Sequence, residues 1–112
     1  MQISKLKDAG KNGWYIGDFD SAVVKSTDVE VCYNTIKKGY TDPHYHTKCD
    51  EILLVTKGKA FINGTKVKKG DIIVISQGEV NDIAAVTKKF TAVGVKIPAG
   101  GNDKVRILKK QK

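Results

Sequence analysis

The sequence predicts an all-β domain, built as either a sandwich or a barrel. Short segments with alternating apolar residues recur along the chain, and turn signals separate them at the spacing typical of such folds. No segment of helical length has a sustained helical periodicity. With 112 residues the chain has the size of one domain, so we expect a single domain over residues 1–112.

An aromatic segment and a long strand make up the first part of the chain. The segment GWYIGDF, residues 13–19, contains the only tryptophan, Trp14. We expect it to pack on one end of the barrel or to form a subunit contact. Residues 29–38 alternate along a predicted strand, on which Tyr33 and Thr35 share one face. These two polar side chains are candidates to point into the barrel.

The second part of the chain is predicted to be a series of strands joined by tight turns. The pair Asn63-Gly64 favours a two-residue type I′ turn, so residues 59–67 should form a hairpin. The other predicted strands are apolar runs that end at turn signals: residues 51–58, 72–76, 80–86, 90–97 and 104–108. The final residues, 109–112, are expected to form a flexible tail.

The net charge of +8 comes almost entirely from lysine, because Arg106 is the only arginine among the 20 basic residues. The lysines occur in scattered pairs near predicted turns and strand ends. There is no basic helix and no basic strand interleaved with aromatic residues, as in RNA-binding sheets. We therefore expect a well-solvated surface and no nucleic-acid partner. Attraction of small anionic molecules remains open.

Neither membrane insertion nor secretion is expected. The chain has no apolar run long enough to span a bilayer, and its N-terminus lacks the apolar core of a signal peptide. This predicts a cytoplasmic protein with no membrane partner. In a reducing compartment the two cysteines, Cys32 and Cys49, should be free thiols that are buried or half-buried. Cys49 lies three residues after His46 and could also offer a ligand atom.

The stretch PHYHTKCDE contains both histidines of the chain, His44 and His46. On a strand, residues two apart point to the same face, about 7 Å apart, so both imidazoles can approach one cation. Pro43 favours an extended start to this strand. Glu51 begins the next predicted strand and can reach the same point if the two strands pair. Two histidines and a carboxylate suit Zn, Fe, Mn, Co or Ni and leave positions for water or substrate.

The same stretch resembles the first motif of the cupin superfamily. HYHTKCDEILLVTKG reads H-x-H-x4-E-x6-G, in which the defined positions are His44, His46, Glu51 and Gly58. GDIIVISQGEVNDIA is similar to the second cupin motif in its glycines and spacing. The resemblance covers about residues 29–98. It implies a double-stranded β-helix, or jelly-roll barrel, with the site inside it and its core in that range. It also implies a homodimer.

Three residues depart from the second motif. Ser76 replaces the family's proline, Ala85 replaces its asparagine, and Asn81 stands where the fourth ligand, a histidine, is expected. An amide oxygen is a weaker donor than imidazole, so Asn81 would either complete the ligand set weakly or bind a metal-bound water. The resemblance thus implies a metal site of His44, His46, Glu51 and Asn81.

Three functions remain open from the sequence. The first is a metal-dependent enzyme acting on a small, anionic or sugar-derived molecule. The second is a module that binds a ligand or metal without catalysis, since the second motif has lost its histidine. The third is a metal-free cupin of the sugar-nucleotide isomerase or epimerase kind, in which His44 and His46 act as acid and base and Glu51 raises their pKa.

Lys96 is an isolated cation in the apolar stretch VGVKI. Turned inward, it could bind an anionic substrate. Because lysine is usually exposed, we expect it to point outward.

Overall fold

The structure, a computed structural model, describes residues 1–107, and the predicted flexible tail at 109–112 lies outside them. Two short 3₁₀ turns, Leu6–Asp8 and Lys11–Gly13, precede the strands. The strands are β1 (Trp14–Gly17), β2 (Val24–Lys25), β3 (Glu30–Lys37), β4 (His44–His46), β5 (Asp50–Lys57), β6 (Lys59–Ile62), β7 (Thr65–Lys68), β8 (Ile72–Ile75), β9 (Ile83–Ala85), β10 (Lys89–Ile97) and β11 (Lys104–Arg106). The all-β prediction is confirmed.

The strands form one large sheet and two small ones. The large sheet has six strands in the order β2-β1-β3-β10-β5-β8, and a three-stranded sheet has the order β7-β6-β9. Strand β4 pairs only with β11. The non-sequential neighbours of β10, which lies between β3 and β5, are typical of a jelly roll rather than of a simple meander.

The hydrophobic core lies between the large sheet and the three-stranded sheet. The large sheet contributes its inward side chains, among them Phe90 and Val55, and the small sheet contributes Ala60 and Ile62. Burying these apolar faces against each other is the main source of stability in such a two-layer arrangement.

Two turns explain why particular residues stand between the strands. Asn63 and Gly64 have φ of 50° and 82°, and β6 and β7 pair on either side of them, so the predicted hairpin is confirmed. Gly58 has φ of +84°, and a Cβ there would lie 2.3 Å from the carbonyl oxygen of Lys89. Only glycine fits this close approach between the β5–β6 turn and β10.

Strand pairing in the large sheet places three charged residues in one inward row. Lys96 on β10 is the pairing partner of Glu30 on β3 and of Glu51 on β5. Paired residues on neighbouring strands point to the same face. On β3 this inward face also carries Cys32, and Tyr33 lies on the opposite face. Tyr33 therefore does not point into the barrel, whereas Thr35 borders the internal cavity.

The N-terminal segment extends the large sheet. Strand β1 pairs with β3, with Trp14 opposite Cys32, and β2 adds to its other edge. The segment GWYIGDF therefore contributes a strand, β1, to the large sheet. Across residues 1–107, no helix has the length and apolar character needed to cross a membrane.

Candidate functional site

The two histidines lie side by side on β4. Their ring centroids are 5.1 Å apart and their planes stand at 85° to each other. An isolated antiparallel bridge joins His44 to Asn81, whose backbone N–H donates to the His44 carbonyl over 2.6 Å. This bridge carries the asparagine of the second motif to the histidines of the first.

Hydrogen bonds orient both imidazole rings. Nδ1 of His44 lies 2.6 Å from the Asp42 carbonyl oxygen, which can only accept, so this nitrogen carries the proton. Nδ1 of His46 lies 2.9 Å from Oδ1 of Asp103 and likewise donates to it. In the neutral ring of this tautomer the lone pair is on Nε2, which is then the atom that can bind a metal.

Glu51 reaches the histidines from the large sheet rather than from a strand beside β4. The two strands do not pair with each other: β5 pairs with β10 and β8, while β4 pairs with β11. Oε2 of Glu51 nevertheless lies 3.8 Å from Nε2 of His46. The residues TKC between the strands turn the chain from one layer to the other, so the carboxylate faces the imidazoles across the barrel.

Asn81 contacts this carboxylate directly. Its Nδ2 donates to Oε1 of Glu51 over 2.5 Å, while its Oδ1 has no partner within the described residues. Nε2 of His46 is also buried and has no hydrogen-bond partner in this part of the chain. Buried polar atoms are rarely left unsatisfied, so these two atoms are candidate contacts for a further group.

The residues present fit a metal ion. Ligand atoms of His44, His46 and Glu51 all lie within 4.8 Å of one another. Two ligands at about 2.1 Å from one ion can be up to about 4.2 Å apart, so small side-chain rotations suffice. In addition, the His46 lone pair faces a carboxylate oxygen, an arrangement that a cation between them would stabilise.

Burial determines the charge state of His44. Desolvation lowers its pKa below the ordinary value; the hydrogen bond to Asp42 and the negative charge of Glu51 oppose this but do not outweigh it. Glu51 acts in the expected direction and raises the pKa of this ring, but burial lowers it by more, so the net shift is downward. A neutral imidazole can bind a metal or accept a proton.

Sequence reasoning missed Asp103. Its carboxylate is buried and accepts hydrogen bonds from His46 and from the backbone N–H of Lys48. Burial alone would raise its pKa, but these hydrogen bonds lower it, so the group is ionised. Asp103 is 57 residues from His46 in sequence, and its loop GGND carries no pattern that would have identified it.

The cysteines are free and buried, as predicted. Sγ of Cys49 forms a group with the ligand atoms of His46 and Asp103. Burial, followed by a hydrogen bond to Asp103, raises the pKa of Cys49 to about 12. Without a metal the thiol therefore stays protonated and donates its S–H to the Asp103 carboxylate.

A cavity of about 330 Å³ opens beside these residues. Both histidines, Glu51 and Asn81 line it, and so do Trp14 and Lys96. Lys96 is 7% exposed, so the expectation that it points outward is wrong. Its Nζ lies 4.7 Å from the centre of the Trp14 ring, in cation–π contact.

Solved structures with the same fold are known. A Klebsiella pneumoniae protein with a double-stranded β-helix domain superposes with a TM-score of 0.70 and 22% identity, covering 97% of this chain and 99% of that chain. The DMSP lyase DddQ from Ruegeria pomeroyi matches with a TM-score of 0.67 and 17% identity over 86% of this chain and 49% of that chain. The nucleoside dehydratase Pac13 matches with a TM-score of 0.64 and 13% identity, covering 77% of this chain and 73% of that chain. A search of curated sequences finds no match.

These similarities confirm the predicted double-stranded β-helix. Because the sequence identities are below 25%, these structural similarities show a shared fold and nothing about function. The family is established by sequence, because the model described as Cupin matches residues 27–109, which is most of the chain. The chain therefore belongs to the cupin family.

Proposed function

We propose that this protein is a metal-dependent cupin enzyme that binds a small molecule in the barrel cavity. His44, His46 and Glu51 would hold a divalent ion of Zn, Fe, Mn, Co or Ni, and Asn81 would offer its amide oxygen as a weak fourth ligand. The observation that carries the proposal is the unpartnered, buried Nε2 of His46, which is 3.8 Å from the Glu51 carboxylate.

The ion would supply Lewis acidity at the cavity wall. The chain's own residues would do the rest. Asp42 and Asp103 hold the two imidazoles with Nε2 towards the cavity, and Asn81 holds the Glu51 carboxylate. The partly apolar walls, which include Leu53 and Ile83, would exclude water from a bound molecule. The DMSP lyase and the nucleoside dehydratase named above support enzymatic use of this fold on small molecules.

Metal analysis tests the ligand set directly. Purified untagged protein, incubated with each candidate ion and desalted, should retain about one equivalent, whereas His46→Ala should retain none. Lys66→Ala, at an exposed position on β7, is the control. An Asn81→His variant should bind zinc more tightly, because imidazole is the better donor. Wild-type protein that retains none of the five ions would refute the proposal.

A metal-free acid–base enzyme is the second candidate. The same observation favours it, since a proton on Nε2 of His46 would also bridge to Glu51 and leave a charged imidazolium between two carboxylates. Nitrogen-15 spectra of the histidine side chains separate the two. The metal site predicts that added zinc shifts the Nε2 signals of both rings, whereas the metal-free site predicts that zinc leaves them unchanged.

A binding module without catalysis would share the metal and the cavity. Such a module would bind its ligand without converting it. Once a ligand is known, its recovery unchanged from the metal-loaded protein would favour a binding module over an enzyme.

We also propose that the partner of this chain is a second copy of itself. The outward faces of β3, β10, β5 and β8 form one uncharged patch, here called the outer apolar face: Val31, Tyr33, Val93, Val95, Ile52, Leu54, Ile72 and Val74. The chain has a net charge of +8, but this patch carries none of it, so the patch offers no attraction to an acidic partner. An apolar patch is complementary to a second copy of itself across a two-fold axis. Light scattering should therefore give the mass of a dimer.

A further inference from the structure

Lys96 is a buried cation whose hydrogen-bonding capacity is unused. Its Nζ lies 3.9 Å from Oε1 of Glu30, too far for a hydrogen bond, and the described residues accept none from it. An ammonium group removed from water needs partners for its three N–H donors. The Trp14 ring stabilises the charge from one side but accepts no conventional hydrogen bond.

Glu30 is not free to move closer. Its other oxygen, Oε2, accepts a hydrogen bond of 3.1 Å from the backbone N–H of Gly101, which ties the carboxylate to the loop before β11. The Glu30 carboxylate therefore balances the charge of Lys96 without accepting a hydrogen bond from its N–H donors. Those donors remain available to a molecule in the cavity, which Lys96 lines.

This ammonium shares the cavity with the proposed metal ligands. Lys96 and Glu51 are paired across β10 and β5, which places their Cβ atoms about 5 Å apart on the same face. A molecule that touches His44 and His46 is thus within reach of Lys96 as well. Leu53 and Ile83 supply apolar surface between them.

We propose that the cavity binds a small monocarboxylic acid, with its carboxylate on the Lys96 ammonium beside the Trp14 ring. The short carbon body of the acid would extend towards His44, His46 and Glu51. The orientation of the acid rests on the proposed function, because the proposed metal site defines the end of the molecule that reacts.

A carboxylate fits this end of the cavity better than a phosphate. Phosphate sites combine several donors, such as arginine forks, helix N-termini or backbone N–H clusters. No arginine is among the described residues that line the cavity, and Lys104, which does line it, is already paired with Asp42. One ammonium against the flat face of an indole suits a planar monoanion.

The single tryptophan makes the test direct. Its indole N–H gives one signal in a nitrogen-15 correlation spectrum, and Trp14 borders the proposed subsite. The zinc-incubated protein is titrated with propionate, butyrate and glycolate, with the matching neutral amides, and with inorganic phosphate, all at constant ionic strength. The variants are Lys96→Met, Glu30→Gln/Lys96→Met, which removes the charge pair together, and Lys66→Met on the exposed strand β7 as the matched control.

The expected result is a saturable shift of the indole signal with at least one carboxylate and none with its amide. Binding should weaken by about 10-fold or more in both Lys96 variants and stay unchanged in Lys66→Met. Zinc affinity should be the same in wild type and in both Lys96 variants, which separates anion recognition from loss of the metal site.

Three results would overturn the proposal: no carboxylate shifts the signal, Lys96→Met and the double variant bind carboxylates as wild type does, or phosphate binds more tightly than every carboxylate. Failure of the metal proposal looks different. In that case zinc is not retained, while Lys96-dependent binding of a carboxylate persists and supports the anion subsite on its own.

Discussion

At one end of the large sheet the two faces have opposite characters, and there each face is the reverse of the usual arrangement. At one end of the inward face, Glu30, Lys96 and Glu51 form a buried charged row. On the outward face of the same strands, Val95 and Val74 belong to the outer apolar face. Charged residues are normally outside and valine inside. This inversion underlies two of the proposals above: that the inner row serves binding chemistry, and that the outer apolar face contacts a second copy of the chain.

The largest expected effect comes from neutralising the inner row at Glu51. In Glu51→Gln the amide oxygen can still accept from Asn81, but the negative charge that faces His46 is lost. We expect metal affinity to fall by more than about 100-fold, because ligand loss exceeds the effect of losing a supporting residue. The measurement is competition with a chromophoric zinc chelator.

The same substitution should not weaken the metal-free fold. Removing an imperfectly compensated buried charge should leave the free energy of unfolding unchanged or raise it by up to ~1 kcal/mol. Urea unfolding in the presence of a chelator measures this. If the metal-free variant loses several kcal/mol, Glu51 is a structural residue and the charged row is not a binding feature.

Asp103 tests how far the inner site depends on its supporting hydrogen bonds. In Asp103→Asn, the amide no longer stabilises the Nδ1-protonated form of His46 as strongly, and it loses charge-assisted bonds to His46 and the Lys48 N–H. Metal affinity should fall by about 10- to 100-fold with the ligands intact. Histidine nitrogen-15 spectra should show a mixed His46 tautomer. Unchanged affinity would mean that Asp103 only supports the loop.

The alternation of residues could be predicted from the sequence, but the side that faces inward could not. In the stretch FTAVGVKI, residues 90–97, the even positions include Ala92 and Lys96, and the odd positions include Val93 and Val95. Periodicity separates the two sets, yet the set that contains Lys96 faces inward. The default that buries valine and exposes lysine fails because Lys96 shares its face with the buried Phe90 and Ala92.

The site was predictable where its residues are close in sequence. His44, His46 and Glu51 fall within eight residues, and the structure brings their ligand atoms together. The contact with Asn81 followed from the resemblance to the second motif. Asp103 and the inward turn of Lys96 depend on long-range strand pairing, on β4 with β11 and on β10 with both neighbours, which short-range patterns do not specify.

Adding a charge to the outer apolar face tests whether this face forms the proposed dimer interface. Val74 is 60% exposed on β8, the edge strand of the large sheet. Val74→Lys should dissociate the proposed dimer, with a weakening of dimerisation by at least about 10-fold, because an unpaired charge would be buried at the interface. The unfolding free energy of the monomer should change by less than about 0.5 kcal/mol.

Phe61→Lys is the matched control, since Phe61 is 42% exposed on β6 of the other layer. Sedimentation velocity over a range of concentrations measures both variants. A wild-type protein that stays monomeric, or a dimer that Phe61→Lys disrupts and Val74→Lys does not, would show that the outer apolar face is not the interface.

The smallest expected effect tests the electrostatics of the inner face through Cys32. Burial, with the negative charge of Glu51 next, raises the pKa of this thiol from 9.0 to about 12. Alkylation by iodoacetamide at pH 8 should then be slower in the native protein than in urea, because only the thiolate reacts. The measurement is mass spectrometry on Cys49→Ser, which leaves one thiol. Adding Glu51→Gln should accelerate the native reaction, since one of the charges that disfavours the thiolate is gone. If the native alkylation rate is the same with and without the Glu51→Gln substitution, then burial alone raises the pKa of Cys32, and the Glu51 charge has no effect on this thiol.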